Sequence, residues 1–492
     1  MDTKNISIIL SIDFTKAGPI LQQLYSPDPR GAKPRDPVKM LKAITVMVVE
    51  GYTSVTKWVE ATRKDEIYSG LIGFKKEEMP GVGTYYDFFD RLVDGEYHKP
   101  CSHRVKKSSI EKGLHRRNLK KEKDAKKLED DGRAKTVKLC EKLINETELP
   151  NPDDLQNRLQ ELLNKLAIEE SIKRKLIDPA NLETCGDGSC LETGASPHGK
   201  PICDCRKNGN YKCSCDRLYT DKTADWGYDS YHEIYLCGHK FYQITNSNSK
   251  HDLALSVSLY PASNTDFTMG METYDRFIKS SKSLGITITK AVLDAGHDGI
   301  GVYEYFDKKG IKPAIALNPR TPSTKERNAL SENGIPLCPA GLEMRFCSRD
   351  AKRRRQYFNC PVKRPTRRDG KYFFIAHPEE CPFKHLCQPD TSMGPVAYVS
   401  EKADLRLHPV IRRGSDEYKR LMKLRSGVER SNNMKKDVYK LARTEHRRAS
   451  IYLIKLYIIS IIEHAHAWLM EDLKTNSLDQ LSQHFLPLPQ AA

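Results

Sequence analysis

Several features are missing from this 492-residue chain, and each absence closes a class of function. There is no Gly-x4-Gly-Lys-Ser/Thr loop to cradle the phosphates of ATP or GTP, and no His-Glu-x-x-His helix of the zinc protease kind. The first thirteen residues lack the basic start, apolar stretch and cleavage site of a secretion signal, so a cytoplasmic setting is expected. No run reaches the roughly 18 uninterrupted apolar residues of a membrane span, and no membrane partner is expected. The nearest stretch, 451–462, is broken by Lys455 and followed by Glu463 and His464, which predicts a buried helix. Acidic excess is absent too: 81 Lys and Arg against 65 Asp and Glu leave a net charge of +16. That excludes an acidic disordered chain and points to a polyanionic partner.

What is present is enough apolar sequence, 38%, for two to four domains. Residues 1–100 read as a helical unit. Asp36 is placed to cap a helix with Pro37 in its first turn, and Met40, Leu41, Ile44, Met47 and Val48 recur at helical spacing up to Gly51. Further short helices follow, including 84–92, in an arrangement resembling a helix-turn-helix DNA-binding domain or an ordinary helical packing domain. Residues 101–180 change character: 101–150 carries 15 basic and 9 acidic residues, and Leu155, Leu159, Leu162, Leu163 and Leu166 form one stripe. This predicts a charged, solvated helical connector with a short pairing seam.

From 181 to 319 the pattern becomes strand-like runs (182–191, 233–237, 239–244, 253–260), then helix 270–284, strand 286–293, helix 299–309 and strand 313–317. Strands followed by alternating helix and strand predict an α/β layout. Residues 320–410 interrupt it with a basic, cysteine-bearing segment, in which 345–371 has a local charge of +9. Helical periodicity returns over 415–440 and again over 446–470, so 411–492 is the last predicted segment.

Three carboxylates stand out. Asp187 lies in Cys-Gly-Asp-Gly-Ser inside the first strand-like run, Asp294 closes the apolar run Ala-Val-Leu, and Glu429 sits on a predicted helix. An Asp at the C-terminal end of a buried strand is where open α/β sheets place their sites, although such a residue also serves as an ordinary strand-end cap. Clustered carboxylates offer hard oxygen ligands to Mg²⁺ or Mn²⁺, and a pair of such ions promotes phosphodiester cleavage. On an ideal helix Arg425, Glu429 and Lys436 fall within roughly 40° of one line, which suits either a salt-bridged stripe or a metal ligand between phosphate-binding cations.

The segment Arg425-Ser-Gly-Val-Glu429-Arg-Ser-Asn-Asn-Met-Lys-Lys436 resembles the C-terminal motif of bacterial insertion-sequence DDE transposases, those with the Y-x2-R-x3-E-x6-K signature. Its Arg, Glu and Lys match; position 422 is Met rather than Tyr, and the nearest tyrosine is Tyr418. Asp187-Gly188 is similar to the family's first-Asp motif and Val-Leu-Asp294-Ala-Gly-His-Asp298-Gly to its second. Residues 218–229, Ala314-Ile-Ala-Leu-Asn-Pro-Arg320 and the stretch from Pro34 to Phe74 also resemble family text. The resemblance implies an α/β ribonuclease H-like catalytic core with a β-rich insertion before the last catalytic helix, plus an all-α N-terminal domain. It implies Asp187, Asp294 and Glu429 as catalytic, metal-binding residues for Mg²⁺ or Mn²⁺. Arg425 and Lys436 would hold DNA, and a homodimer or larger assembly would act on double-stranded DNA, comprising terminal inverted repeats and target. Asp298 is the competitor for Asp294. Asp221, Asp225 and Asp229 compete for the first carboxylate and are expected to be surface or turn residues.

In the basic segment, Lys352, Arg353, Arg354 and Arg355 are expected to grip a phosphate backbone. Tyr357, Phe358, Tyr372, Phe373 and Phe374 either stack on an unpaired base or form the segment's own small core. Fourteen cysteines in a chain without a secretion signal point to metal ligation or buried thiols rather than disulfides. Cys203, Cys205, Cys213 and Cys215 form one candidate zinc group; Cys338, Cys347, Cys360, Cys381 and Cys387 form another. Cys101, Cys140 and Cys237 read as isolated thiols.

Overall fold

In the computed structural model, the described residues are 1–25, 33–93, 104–106, 135–318, 330–368, 371–375 and 394–474, apart from positions 147, 149, 150, 152, 153, 214, 216, 222, 231, 332 and 445. They form two compact units. The first takes residues 1–134, 146–288 and 426–492; the second takes 135–145 and 289–425. These units cut across the five segments expected from the sequence, because the N-terminal helices, the first carboxylate strand and the C-terminal helix pack as one body.

The elements that matter are, in chain order, α1 (Pro37–Val49), α2 (Leu155–Leu163), β1 (Leu182–Glu192), β2 (Asp225–Asp229), β3 (Ile234–Asn246), β4 (Ala254–Pro261), α3 (Asp266–Ser280), β5 (Ile288–Leu293), α4 (Ile300–Lys308), β6 (Lys312–Ile315), α5 (Asp416–Leu424), α6 (Ser426–Asn433) and α7 (Ala449–Lys474).

In the first unit, β3 is the longest strand, because two predicted runs merge across Gly238. A Cβ there would lie 2.1 Å from the Leu191 carbonyl oxygen of β1, so only glycine keeps the strand close. β3 pairs antiparallel with β1, β2 and β4. α3 packs on β1, β3 and β4. α1 begins as its sequence dictates: the Asp36 carboxylate accepts from the backbone N–H groups of Val38 and Lys39, with Pro37 in the first turn. Its face from Met40 to Val48 is buried and packs on α7.

α7 has the length and composition to cross a membrane, yet it is almost wholly buried in this fold. It touches α1, α2 and β4. The leucine stripe expected on a solvated connector is core instead: Leu155, Leu159, Leu162, Leu163 and Leu166 are all buried, because α2 packs on α7 and β4. Lys455 of α7 is buried too, with its Nζ 3.5 Å from the Thr53 carbonyl oxygen. Burial pushes its pKa down to about 7.

In the second unit, β5 and β6 are parallel, with α4 between them in sequence. A βαβ unit of this kind buries its strands on both faces, and Ala291, Val292, Leu293, Ala314 and Ile315 are buried. The segment after β6 is β-rich. Strands Arg345–Asp350, Arg355–Asn359 and Val396–Ser400 form one antiparallel sheet, and Arg364–Arg368 pairs with Lys371–Ile375. Phe358 is buried in a small core with Ile335, Cys338 and Met344, so this aromatic belongs to the segment's own packing. Tyr357 stacks edge-on against the exposed Tyr398. The side chains of Tyr372, Phe373 and Phe374 lie outside the described residues.

Candidate active site

Asp187 sits in the middle of β1, opposite Gln243 of β3. The side chain of Gln243 donates to the backbone carbonyl of Val428 at 3.2 Å, tying α6 to the sheet. α6 and the turn that follows it then return contacts to β1: Asn432 Nδ2 donates to Asp187 Oδ2 at 3.2 Å, and Lys436 Nζ reaches Ser189 Oγ at 3.3 Å. Asn432 is one turn beyond Glu429 on the same helix face. Asp187 and the Glu429 helix are therefore brought together within one unit. Glu429 is exposed and Asp187 half-buried.

Two devices set α6 against the sheet. Gly427 packs so closely that a Cβ would come within 2.4 Å of Asp252 Oδ1, while Arg430 holds that same carboxylate through two bonds of 2.8 and 2.9 Å. Behind α6, Lys435 and Glu463 of α7 form a fully buried ion pair at 2.5 Å, and Ser431 donates to the same glutamate at 2.9 Å. Burial lowers the Lys435 pKa and raises that of Glu463, while the mutual attraction opposes both shifts. Lys436 lies in a π-helical turn, Met434–Val438, that follows α6. Such a turn departs from the 100° step assumed from sequence, yet the side chain still reaches β1.

In the second unit Asp294 directly follows β5. It caps a short 3₁₀ turn, accepting from the Gly296 backbone N–H at 3.2 Å and contacting His297 Nδ1 at 2.5 Å. Burial alone would raise its pKa, but the His297 hydrogen bond and charge and the Arg425 guanidinium outweigh this and lower it. Asp294 is thus a carboxylate at neutral pH, held in one rotamer by a buried histidine. Asp298, its competitor, is buried and committed: Arg406 binds it at 2.7 Å, Arg413 lies at 3.5 Å, and the Asn318 backbone N–H donates at 2.7 Å.

The alternatives to Asp187 were expected to be surface or turn residues; Asp221 does accept from the turn N–H groups of Thr223 and Ala224, but neither it nor Asp229 is at the surface. Asp221 is buried against His239 at 2.9 Å and Thr193 at 3.0 Å, and Asp229 is buried beside His232. Asp225 is half-buried at the start of β2. Sequence patterning misses these pairings because each partner lies on a neighbouring strand or turn.

The basic run divides. Lys352, Arg353 and Arg355 are exposed. Arg354, expected to act with them on a phosphate backbone, is instead held by two bonds to Asp307 at 3.0 and 2.6 Å, with Glu401 at 3.7 Å. Its backbone is left-handed, φ +51°.

Of the two cysteine groups, the first converges: the four sulfurs of Cys203, Cys205, Cys213 and Cys215 all lie within 4.8 Å of one another. The second does not, among the described residues. Cys338 is packed in an apolar core, Cys360 is buried and Cys347 is exposed, while Cys381 and Cys387 lie outside the described residues. Cys140 is a buried thiol and Cys237 is half-buried; Cys101 also lies outside.

Sequence reasoning passed over Asn432 and His297. Both were discoverable in principle, as each stands three residues after a candidate carboxylate, Glu429 and Asp294, and so one turn away.

Residues 176–462 match the family profile described as "Transposase DDE domain". Among curated proteins, none matches the chain.

Proposed function

The chain belongs to the transposase DDE domain family, a match covering more than half of it, and on that premise we propose that it is an insertion-sequence transposase of the Y-R-E-K type. In this reading it binds the terminal inverted repeats of an element, cleaves the DNA there and joins the 3′-hydroxyl ends to target DNA. The observation that carries the reading is the docking of the Glu429 helix onto the Asp187 strand through Gln243, Asn432 and Lys436.

Asp187, Asp294 and Glu429 are assigned as the ligands of Mg²⁺ or Mn²⁺. The donor set fits: carboxylates are hard oxygen ligands, and Asp294 is held ionised by His297 and Arg425. Bound there, a divalent ion supplies Lewis acidity at the scissile phosphate. Asn432 fixes the rotation of the Asp187 carboxylate, and His297 does the same for Asp294. Arg425 and Lys436 hold DNA phosphates beside the bond that breaks, and Lys352, Arg353 and Arg355 follow the backbone further out. In strand transfer the 3′-hydroxyl oxygen bonds to a target phosphorus, its proton leaves to solvent, and the target's own 3′ oxygen departs and is protonated. The N-terminal helices contribute end recognition, and two or more copies assemble so that both ends of the element are held. Such an enzyme works on chromosomal DNA in the cytoplasm.

The test is a labelled terminal-repeat duplex, a target plasmid and Mg²⁺. Asp187→Asn, Asp294→Asn and Glu429→Gln are each expected to abolish cleavage and joining while duplex binding survives. Variants that cut like the parent overturn the residue assignment. A parent protein that binds without cutting is a DNA-binding descendant or repressor, and one that cuts without joining is a nuclease.

A further inference from the structure

We propose that Cys203, Cys205, Cys213 and Cys215 form a structural Zn²⁺ site, separate from the carboxylates and independent of the DNA chemistry assigned to them. The chain folds back on itself here. Strands Lys200–Pro201 and Arg217–Tyr219 pair antiparallel and close the base of the loop. This places two Cys-x-Cys pairs opposite each other. Cys203 and Cys213 sulfurs are 3.6 Å apart, and so are those of Cys205 and Cys215. Four thiolates around zinc at about 2.3 Å in a tetrahedron stand roughly 3.8 Å from one another. The observed spacing matches that geometry, and it far exceeds the roughly 2.05 Å of a disulfide.

The loop needs such a centre. None of residues 202–212 is buried; Ile202 and Tyr211 face solvent at 52% and 72% exposure. A segment without an apolar core requires another source of order, and metal coordination is the usual one in a small loop. Local turns already shape it for that purpose. The Asn210 N–H donates to the Cys205 carbonyl at 2.8 Å, and Gly209 takes a left-handed φ of +78° at the tip.

Four thiols this close cannot all ionise without a cation. A soft, divalent, redox-inert ion relieves that conflict. No carboxylate belongs to the ligand group, so Mg²⁺ is a poor occupant.

The experiment measures metal in the full-length protein by elemental mass spectrometry after dialysis against a mild chelator that strips Mg²⁺. One zinc per chain is expected, and Co²⁺ in its place should give the visible bands of tetrahedral thiolate coordination. Cys205→Ser should take the zinc content from one to none, while Asp187→Asn and the double variant Cys338→Ser/Cys360→Ser keep it. If Cys205→Ser fails to fold, the Co²⁺ spectrum and the Cys338/Cys360 variant decide the question. Metal-free parent protein with titratable thiols at these four positions overturns the proposal. So do disulfides Cys203–Cys213 and Cys205–Cys215 in peptide maps of freshly prepared protein, or zinc lost only with Cys338 and Cys360.

Discussion

Replacing Lys455 with methionine is expected to make the protein more stable. The side chain lies inside α7 where that helix runs beside the N-terminal helices, and among the described residues its ammonium has one weak contact, the Thr53 carbonyl at 3.5 Å. Its pKa falls from 10.5 to about 7 through burial. The nearby His446 is also buried, with its pKa pushed down to about 3 by burial and by Lys455 itself, so it offers no compensating charge. At about 1.4 kcal/mol per pKa unit, the depression is a destabilisation of roughly 3–5 kcal/mol in the charged state. Methionine has similar length and no charge to desolvate. Between the folded pKa near 7 and the unfolded one near 10.5, the unfolded chain binds more protons, so parent stability rises with pH in that window. Below about 7 the penalty is complete. Urea unfolding of parent and Lys455→Met at neutral pH and at about pH 9.5 gives the difference directly. The variant is expected to be more stable at neutral pH, with the gap shrinking as pH rises. A variant no more stable than the parent at neutral pH, or a gap indifferent to pH, refutes the reasoning.

Further perturbations test the basic run and the buried ion pair. Lys352→Ala, Arg353→Ala and Arg355→Ala should each reduce the salt dependence of DNA binding by about one counterion. Arg354→Ala should leave that slope unchanged and instead lower thermal stability by about 1 kcal/mol, the Asp307 pair being part-exposed. Lys435→Met should cost about 3–5 kcal/mol by leaving Glu463 buried without its partner, whereas Lys435→Met with Glu463→Leu should recover most of it; chemical denaturation of the three proteins reads this out.

The elements were legible in the sequence wherever periodicity and end signals agreed. Asp36-Pro37 opened α1, and the apolar run before Asp294 became β5. The buried status of residues 451–462 followed from apolarity interrupted by single polar groups. What misled was burial on a charged background. The leucine stripe in α2 looked like a seam on a soluble rod, because its neighbours are charged and its partner, α7, lies almost 300 residues later. The Lys435–Glu463 pair was hidden because its partners stand on two separate helices, and the burial of Asp221 was hidden because His239 reaches it from another strand. Arg354 reads as one more cation in a run, and its partner Asp307 stands 47 residues earlier in the chain. The proposed ligands were read from motif spacing, whereas the contacts of Asn432 with Asp187 and of His297 with Asp294 show only in the fold.

The placement of α7 has a consequence for how the protein is made. Its apolar surface covers α1, α2 and β4, elements that leave the ribosome long before it. Until synthesis passes residue 474, those elements lack their cover and present sticky faces to the cell. A message broken anywhere upstream of 449 yields a chain fit for chaperones or proteases rather than for DNA, so the last helix acts as an all-or-nothing seal on whether a copy of the gene yields a working product.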